Sequence, residues 1–140
     1  MSLTHQSLQI LVDRFLAAWN SQDVEAVVGC YTDDLVYRDP NTRGNLQGAD
    51  DMRRYLRKLF AAWQMHWTAR EAFLLDGKDG ACFLWKASFG RAGGDETVEA
   101  DGMDLVVLRG DRIQRNDVYF DRSVLARLGE TVKAKSSGEW

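Results

Sequence analysis

Apolar positions recur along this chain with two periods, and the change from one to the other marks its elements. From Leu8 to Trp19 the residues Leu8, Leu11, Val12, Phe15, Leu16 and Trp19 fall on one helical stripe, which predicts a first helix. Residues 20–23 supply a break and a new N-cap. Val24, Val27, Val28 and Tyr31 then predict a short second helix that forms a hairpin with the first. The period falls to two over residues 35–40, where the chain's single proline, Pro40, holds Asp39 extended and ends a first strand. A polar loop is expected over 41–47. Asp50 and Asp51 then complement the dipole of a third helix, whose apolar face is Met52, Tyr55, Leu56, Leu59, Phe60 and Trp63. Glycine-containing breaks at 76–77, 92–94 and 109–111 divide the rest into runs over roughly 66–75, 80–90, 96–109 and 112–121, the pattern of an antiparallel meander.

Composition narrows the class. A chain of 140 residues with 45% hydrophobic and 28% charged residues is sized for one globular domain, expected over 1–128. Beyond Leu128 the period is lost, so 129–140 is expected to be a flexible or partner-docked tail. The net charge is −3 and there is no basic block to neutralise phosphates, so no nucleic-acid partner is expected. No run approaches membrane-spanning length and the first residues do not read as a signal peptide, which predicts no membrane association and a cytoplasmic location. Cys30 and Cys82 belong to no metal or disulfide pattern and read as buried free thiols. No phosphate loop, dinucleotide fingerprint, nucleophile elbow or metal motif occurs, so any chemistry is expected to need no cofactor and no metal.

Alternation along the strands singles out two acids. Asp39 shares a face with Leu35 and Tyr37, so if Leu35 points into the core Asp39 does too. Two readings stay open: a strand-ending Asp that caps a turn, or a carboxylate set against apolar walls and poised as a general base. Asp104 lies with Val106 and Leu108 in an otherwise apolar strand and must find a partner or a proton. It is either a structural hydrogen-bonding group or a second acid near Asp39. His66, with no ligand-spaced partner, reads as structural.

The element order, together with residues 15–23, residues 31–40 followed by Gly48, and residues 112–121, resembles the nuclear transport factor 2-like superfamily over about residues 8–125. That superfamily includes SnoaL-like polyketide cyclases, ketosteroid isomerases and limonene epoxide hydrolases. The resemblance implies an α+β fold, a cone-shaped curved antiparallel sheet wrapped around N-terminal helices in the order α-α-β-α-β-β-β-β. It also implies a pocket for a small hydrophobic ligand. Within the superfamily, Asp39 before Pro40 is similar to the catalytic base of ketosteroid isomerase, and Asp104 to the protonated Asp of its oxyanion hole. The isomerase's oxyanion tyrosine matches Phe15 here and a supporting tyrosine matches Leu56, which leaves Tyr31 alone of that network. The epoxide hydrolase Arg, Asp and Asp set would fall on Lys86, Ser88 and Val118, so that mechanism is not implied.

The same resemblance sets two strand faces. It sends Cys82, Leu84, Lys86 and Ser88 inward and leaves Phe83, Trp85, Ala87 and Phe89 outward, and an exposed aromatic face of that size predicts a homodimer. It also sends Gln114, Asn116, Val118 and Phe120 inward, with Asp117 outside. Lys86 then pairs with Asp39 or Asp104, or is solvated at the rim. Phe15, Trp19, Tyr31, Tyr37, Lys86, Asn116 and Phe120 are the candidate ligand contacts. The expected function is proton transfer next to the carbonyl of a steroid- or polyketide-like compound, of isomerase or cyclase type. Asp39 would be the base, and Asp104 with Tyr31, Asn116 or Lys86 would stabilise the enolate. The alternative is a ligand-binding or dimerisation module of the same fold without catalysis.

Overall fold

The first helical stripe becomes α1 (His5–Ser21) in the computed structural model, which describes residues 2–128. Its six apolar stripe residues are all buried, and Thr4 and Ser7 form a capping box at its start. Asp23 caps α2 (Val24–Val28) through the amides of Glu25 and Ala26. Tyr31 does not continue that helix, as its spacing suggested. The Cys30 amide closes the last turn on the Val27 carbonyl, and Tyr31 opens β1 (Tyr31–Arg38), paired with Ile113. A two-residue strand, β2 (Leu46–Gln47), lies in the expected polar loop and pairs back onto β1. Then come α3 (Gly48–Ala62), β3 (Trp63–Leu74), β4 (Gly80–Arg91), β5 (Thr97–Arg109), β6 (Arg112–Phe120) and a 3-10 turn (Arg122–Leu125). The expected tail over 129–140 lies outside the described residues.

The strands form one curved, unclosed sheet in the order β2-β1-β6-β5-β4-β3. Its four long strands make the expected antiparallel meander, while β1 joins β6 in parallel. Register shifts in β3 between Ala69 and Glu71, and between β5 and β6 at Val107 and Leu108, mark where the ladders bend. The helices fill the concave side, α1 against β3 and α3 against β1. The free edge of β3 is covered by side chains. The Asn20 amide exchanges two hydrogen bonds with Trp67 main chain, and the Gln22 amide bonds Trp63 O and Met65 N, extending the ladder from the end of α1.

The face of β4 that points inward is the opposite of the one expected. Phe83, Trp85, Ala87 and Phe89 are buried, whereas Lys86 lies outside, its side chain 56% exposed and 3.8 Å from Glu99. The physical reason is burial: four apolar side chains gain more from the core than a set carrying an ammonium and a hydroxyl. The exposed aromatic face that predicted a homodimer is therefore not exposed. Gly102, across from Trp85 on β5, makes the inward position possible, because a Cβ there would stand 2.4 Å from the indole. Cys30 and Cys82 are free but only half-buried. Among the described residues no helix is long and apolar enough to cross a membrane.

Candidate functional site

Inside the curl, Phe15 and Trp19 of α1 meet Tyr37 of β1, Trp67 of β3, Trp85 of β4, and Asp104 and Val118 of β5 and β6 around a cavity of about 30 Å³. That is room for about one water molecule. The rings fill the rest of the interior themselves. Trp19 stacks on Tyr37 with centroids 6.0 Å apart and meets Trp67 edge-on at 5.5 Å. The Trp19 indole Nε1 is buried without a completed hydrogen bond, although it lies close enough to the Tyr31 hydroxyl to favour its ionisation slightly.

Asp104 is the one carboxylate in this wall. Residue alternation in β5 puts it inward with Val106, and it is 5% exposed. Trp85 Nε1 donates to its Oδ1 at 2.7 Å and Asn116 Nδ2 to its Oδ2 at 3.0 Å, while Asn116 Oδ1 accepts from the Tyr31 hydroxyl at 2.7 Å. Burial pushes the Asp104 carboxyl up to about 7. The bonds from Asn116 and Trp85 hold it down in part, and the charge of Asp39 adds to the rise. Burial likewise raises the Tyr31 hydroxyl well above the ordinary tyrosine range, so it stays a neutral donor.

Asp39 lies half-buried where β1 ends, and all its acceptor capacity is engaged. Oδ1 takes the main-chain amides of Asn41 at 2.7 Å and Thr42 at 3.1 Å, an Asx turn fixed by the following proline. Oδ2 takes the hydroxyls of Tyr37 at 2.6 Å and Tyr55 at 2.5 Å. Both tyrosines are raised, by burial first and by the Asp39 charge second. The capping reading of Asp39 is visible in Oδ1, whereas Oδ2 is held by two tyrosine hydroxyls and the side chain is not among those that line the cavity.

Of the sequence candidates, Phe15, Trp19, Tyr37 and Asp104 line the cavity, and Tyr31 and Asn116 support it from behind. Phe120 backs the wall, 5.9 Å from Trp85 and 5.4 Å from Phe89. Lys86 takes no part: it is on the other side of the sheet and pairs with neither acid. Asp117, expected as a surface or interface charge, is covered by its own chain and accepts from Arg115 at 2.8 Å. Trp67, Trp85 and Tyr55 were not among the candidates. The apolar character of Trp85 and the helical spacing of Tyr55 were the available signals. A larger hollow of about 330 Å³ near the start of α1 has exposed ionisable residues, Arg14, Asp79 and Asp111, and none of this chemistry. Among the described residues no group of metal-ligating side chains stands together.

Comparison with known proteins bears on the family and the fold. Residues 12–116 match the model of the SnoaL-like domain. No curated protein sequence matches. Among solved structures, a protein of ketosteroid isomerase-like fold from Catenulispora acidiphila, in complex with trimethylamine, is 21% identical. It has a TM-score of 0.75, over 85% of this chain and 92% of that one. TerC co-crystallised with polyporic acid is 16% identical, with a TM-score of 0.74 over 87% and 97%. A cystatin-fold protein from Novosphingobium aromaticivorans is 25% identical, with a TM-score of 0.63 over 78% and 94%.

Proposed function

The chain belongs to the SnoaL-like domain family, and on that premise we propose that it transfers a proton next to the carbonyl of a small hydrophobic compound, with Asp104 as the group that takes and returns the proton. The observation that carries this reading is the setting of Asp104. It is a carboxyl at about 7, in the wall of an aromatic cavity, with one hydrogen bond to each oxygen. A proton-transfer group works best when its pKa lies near the operating pH.

In this mechanism the Asp104 carboxylate removes a proton from carbon next to the carbonyl. The C–H electrons form the new C=C bond and the carbonyl oxygen becomes an enolate. The Tyr37 hydroxyl, kept neutral by its raised pKa and held at the cavity wall, turns from Asp39 to donate to that oxygen. Asp104 then delivers its proton to another carbon in an isomerisation; in an aldol-type cyclisation the enolate carbon attacks a second carbonyl of the same molecule, whose C=O π electrons move to its oxygen, and that oxygen takes the proton from Asp104. Asp39 positions the tyrosines and fixes the turn after β1. It suits the role of base less well, because a substrate proton would have to compete with four donors already in place.

One observation favours a second reading. Phe15 lines the cavity and has no hydroxyl to offer to a developing enolate, as a binding module without catalysis would allow. Turnover of ketosteroid and polyketide-like substrates, compared in wild type, Asp104→Asn and Asp39→Asn, separates the readings. Loss of about 10²–10⁴ in kcat is expected for Asp104→Asn, and a smaller loss for Asp39→Asn. Undiminished kcat in Asp104→Asn would remove Asp104 from the chemistry. Binding without turnover in wild type would leave the binding module.

A further inference from the structure

A second hollow opens where α3 runs into β3. It is a cleft of about 350 Å³ lined by Tyr55, Lys58, Leu59, Trp63, Arg91 and neighbours. It adjoins the site already described: Tyr55 lines the cleft, Tyr37 lines the inner cavity, and both hydroxyls end on the same oxygen of Asp39. The two rings stand 5.8 Å apart as a partition between the hollows.

The lining of the cleft carries two cations, Lys58 and Arg91, and no carboxylate, in a chain whose net charge is −3. Arg91 ends β4 opposite Trp63 of β3, and its guanidinium carbon lies 5.0 Å from the centre of that indole ring. Its Nε and Nη2 are screened from water and have no hydrogen-bond partner among the described residues. A desolvated cationic donor without an acceptor is costly to keep. Nε and Nη2 share one edge of the guanidinium, the edge that grips both oxygens of a carboxylate at once. Arg53 shows the same grip in this molecule, with Nε 2.8 Å from Glu25 Oε2 and Nη2 3.1 Å from Glu25 Oε1. Arg91 has the fork and the aromatic support but no acid among the described residues.

We propose that this cleft is the anion subsite of the same active site, in which the Arg91 side chain turns its covered fork toward the cleft to take a carboxylate of the ligand in a two-point grip and Lys58 adds a second positive charge. Leu59, Trp63 and the ring of Tyr55 supply the apolar walls beside it. The inference rests on the proton-transfer reading and narrows its substrate class. The compound is a hydrophobic carbonyl compound that also bears a carboxylate, lying across the Tyr37 and Tyr55 partition with its acid group outside and its carbonyl toward Asp104.

The test is calorimetric titration of the full chain with 1-naphthoate and its neutral isostere 1-naphthamide. Naphthoate is expected to bind at least tenfold more tightly than the amide, by an amount that shrinks as salt is raised. Arg91→Gln should weaken naphthoate at least tenfold and leave the amide unchanged, which also shows that the variant is folded. Arg91→Lys should recover only part of the loss, since an ammonium cannot form the fork. Equal affinity for acid and amide, no binding of either, or undiminished naphthoate binding in Arg91→Gln would each overturn the subsite. Turnover in Asp104→Asn tests the proton-transfer reading and naphthoate affinity in Arg91→Gln tests the anion subsite, so the two failures appear in different variants.

Discussion

Asp39 and Asp104 have the same side chain and opposite surroundings. Asp39 accepts two amides and two hydroxyls, whereas Asp104 accepts one indole and one amide N–H inside an aromatic wall. Replacing Asp39 with Ala strands four donors. Urea denaturation should show a loss of about 2–4 kcal/mol, against about 1 kcal/mol or less for Asp39→Asn, whose oxygen keeps the amides while the hydroxyls turn to accept. Equal stability of the two variants would mean that the four hydrogen bonds to this side chain contribute nothing. Alternation with Val106 made the inward turn of Asp104 legible in the sequence. The partners of Asp39 were not legible. Tyr55 reads as one more apolar-face residue of a helix, and only the packing of α3 on β1 brings its hydroxyl to that carboxylate.

Along single elements, periodicity gave the helices and the meander and stopped at their ends. Tyr31 keeps the helical spacing of Val24, Val27 and Val28, yet it belongs to β1 because its main chain pairs with β6, a contact some eighty residues away. Strand β2 was hidden because two residues carry no period. On β4, alternation sorted the side chains into two sets without saying which set faces in. The family register chose the Lys86 set, and the burial of Phe83, Trp85 and Phe89 decided against it. Gly102 was the missed signal, an unexplained glycine inside a strand that leaves space for Trp85. Gly102→Ala should push the indole off Asp104, lowering stability by about 1–3 kcal/mol in denaturant and altering the near-ultraviolet circular dichroism of the tryptophans. An unchanged spectrum and an unchanged midpoint would show that the sheet spreads to take the methyl group without disturbing the site.

For the molecule as a whole, the fold follows from an open sheet that curls around α1 and α3 and closes its interior with aromatic rings, leaving one acid among them. That acid couples global stability to pH. Its pKa is raised on folding, from an ordinary 3.8 to about 7, so the native state binds the proton more tightly than the unfolded chain does. The sign follows: the contribution is fully present below about pH 4 and is lost as pH rises to about 7, because the unfolded carboxylate is already ionised there. Relative to Asp104→Asn, wild type should lose about 4 kcal/mol between pH 4 and pH 8. The Asn variant should fold, because a flip of the Asn116 amide restores an acceptor and the Tyr31 hydroxyl can then accept from it. The measurement that bears most directly on Asp104 as the proton carrier is a carboxyl carbon-13 NMR titration of aspartate-labelled protein, with Asp104→Asn identifying the resonance. Titration of Asp104 near pH 7 is expected, and a midpoint near 4 would contradict it.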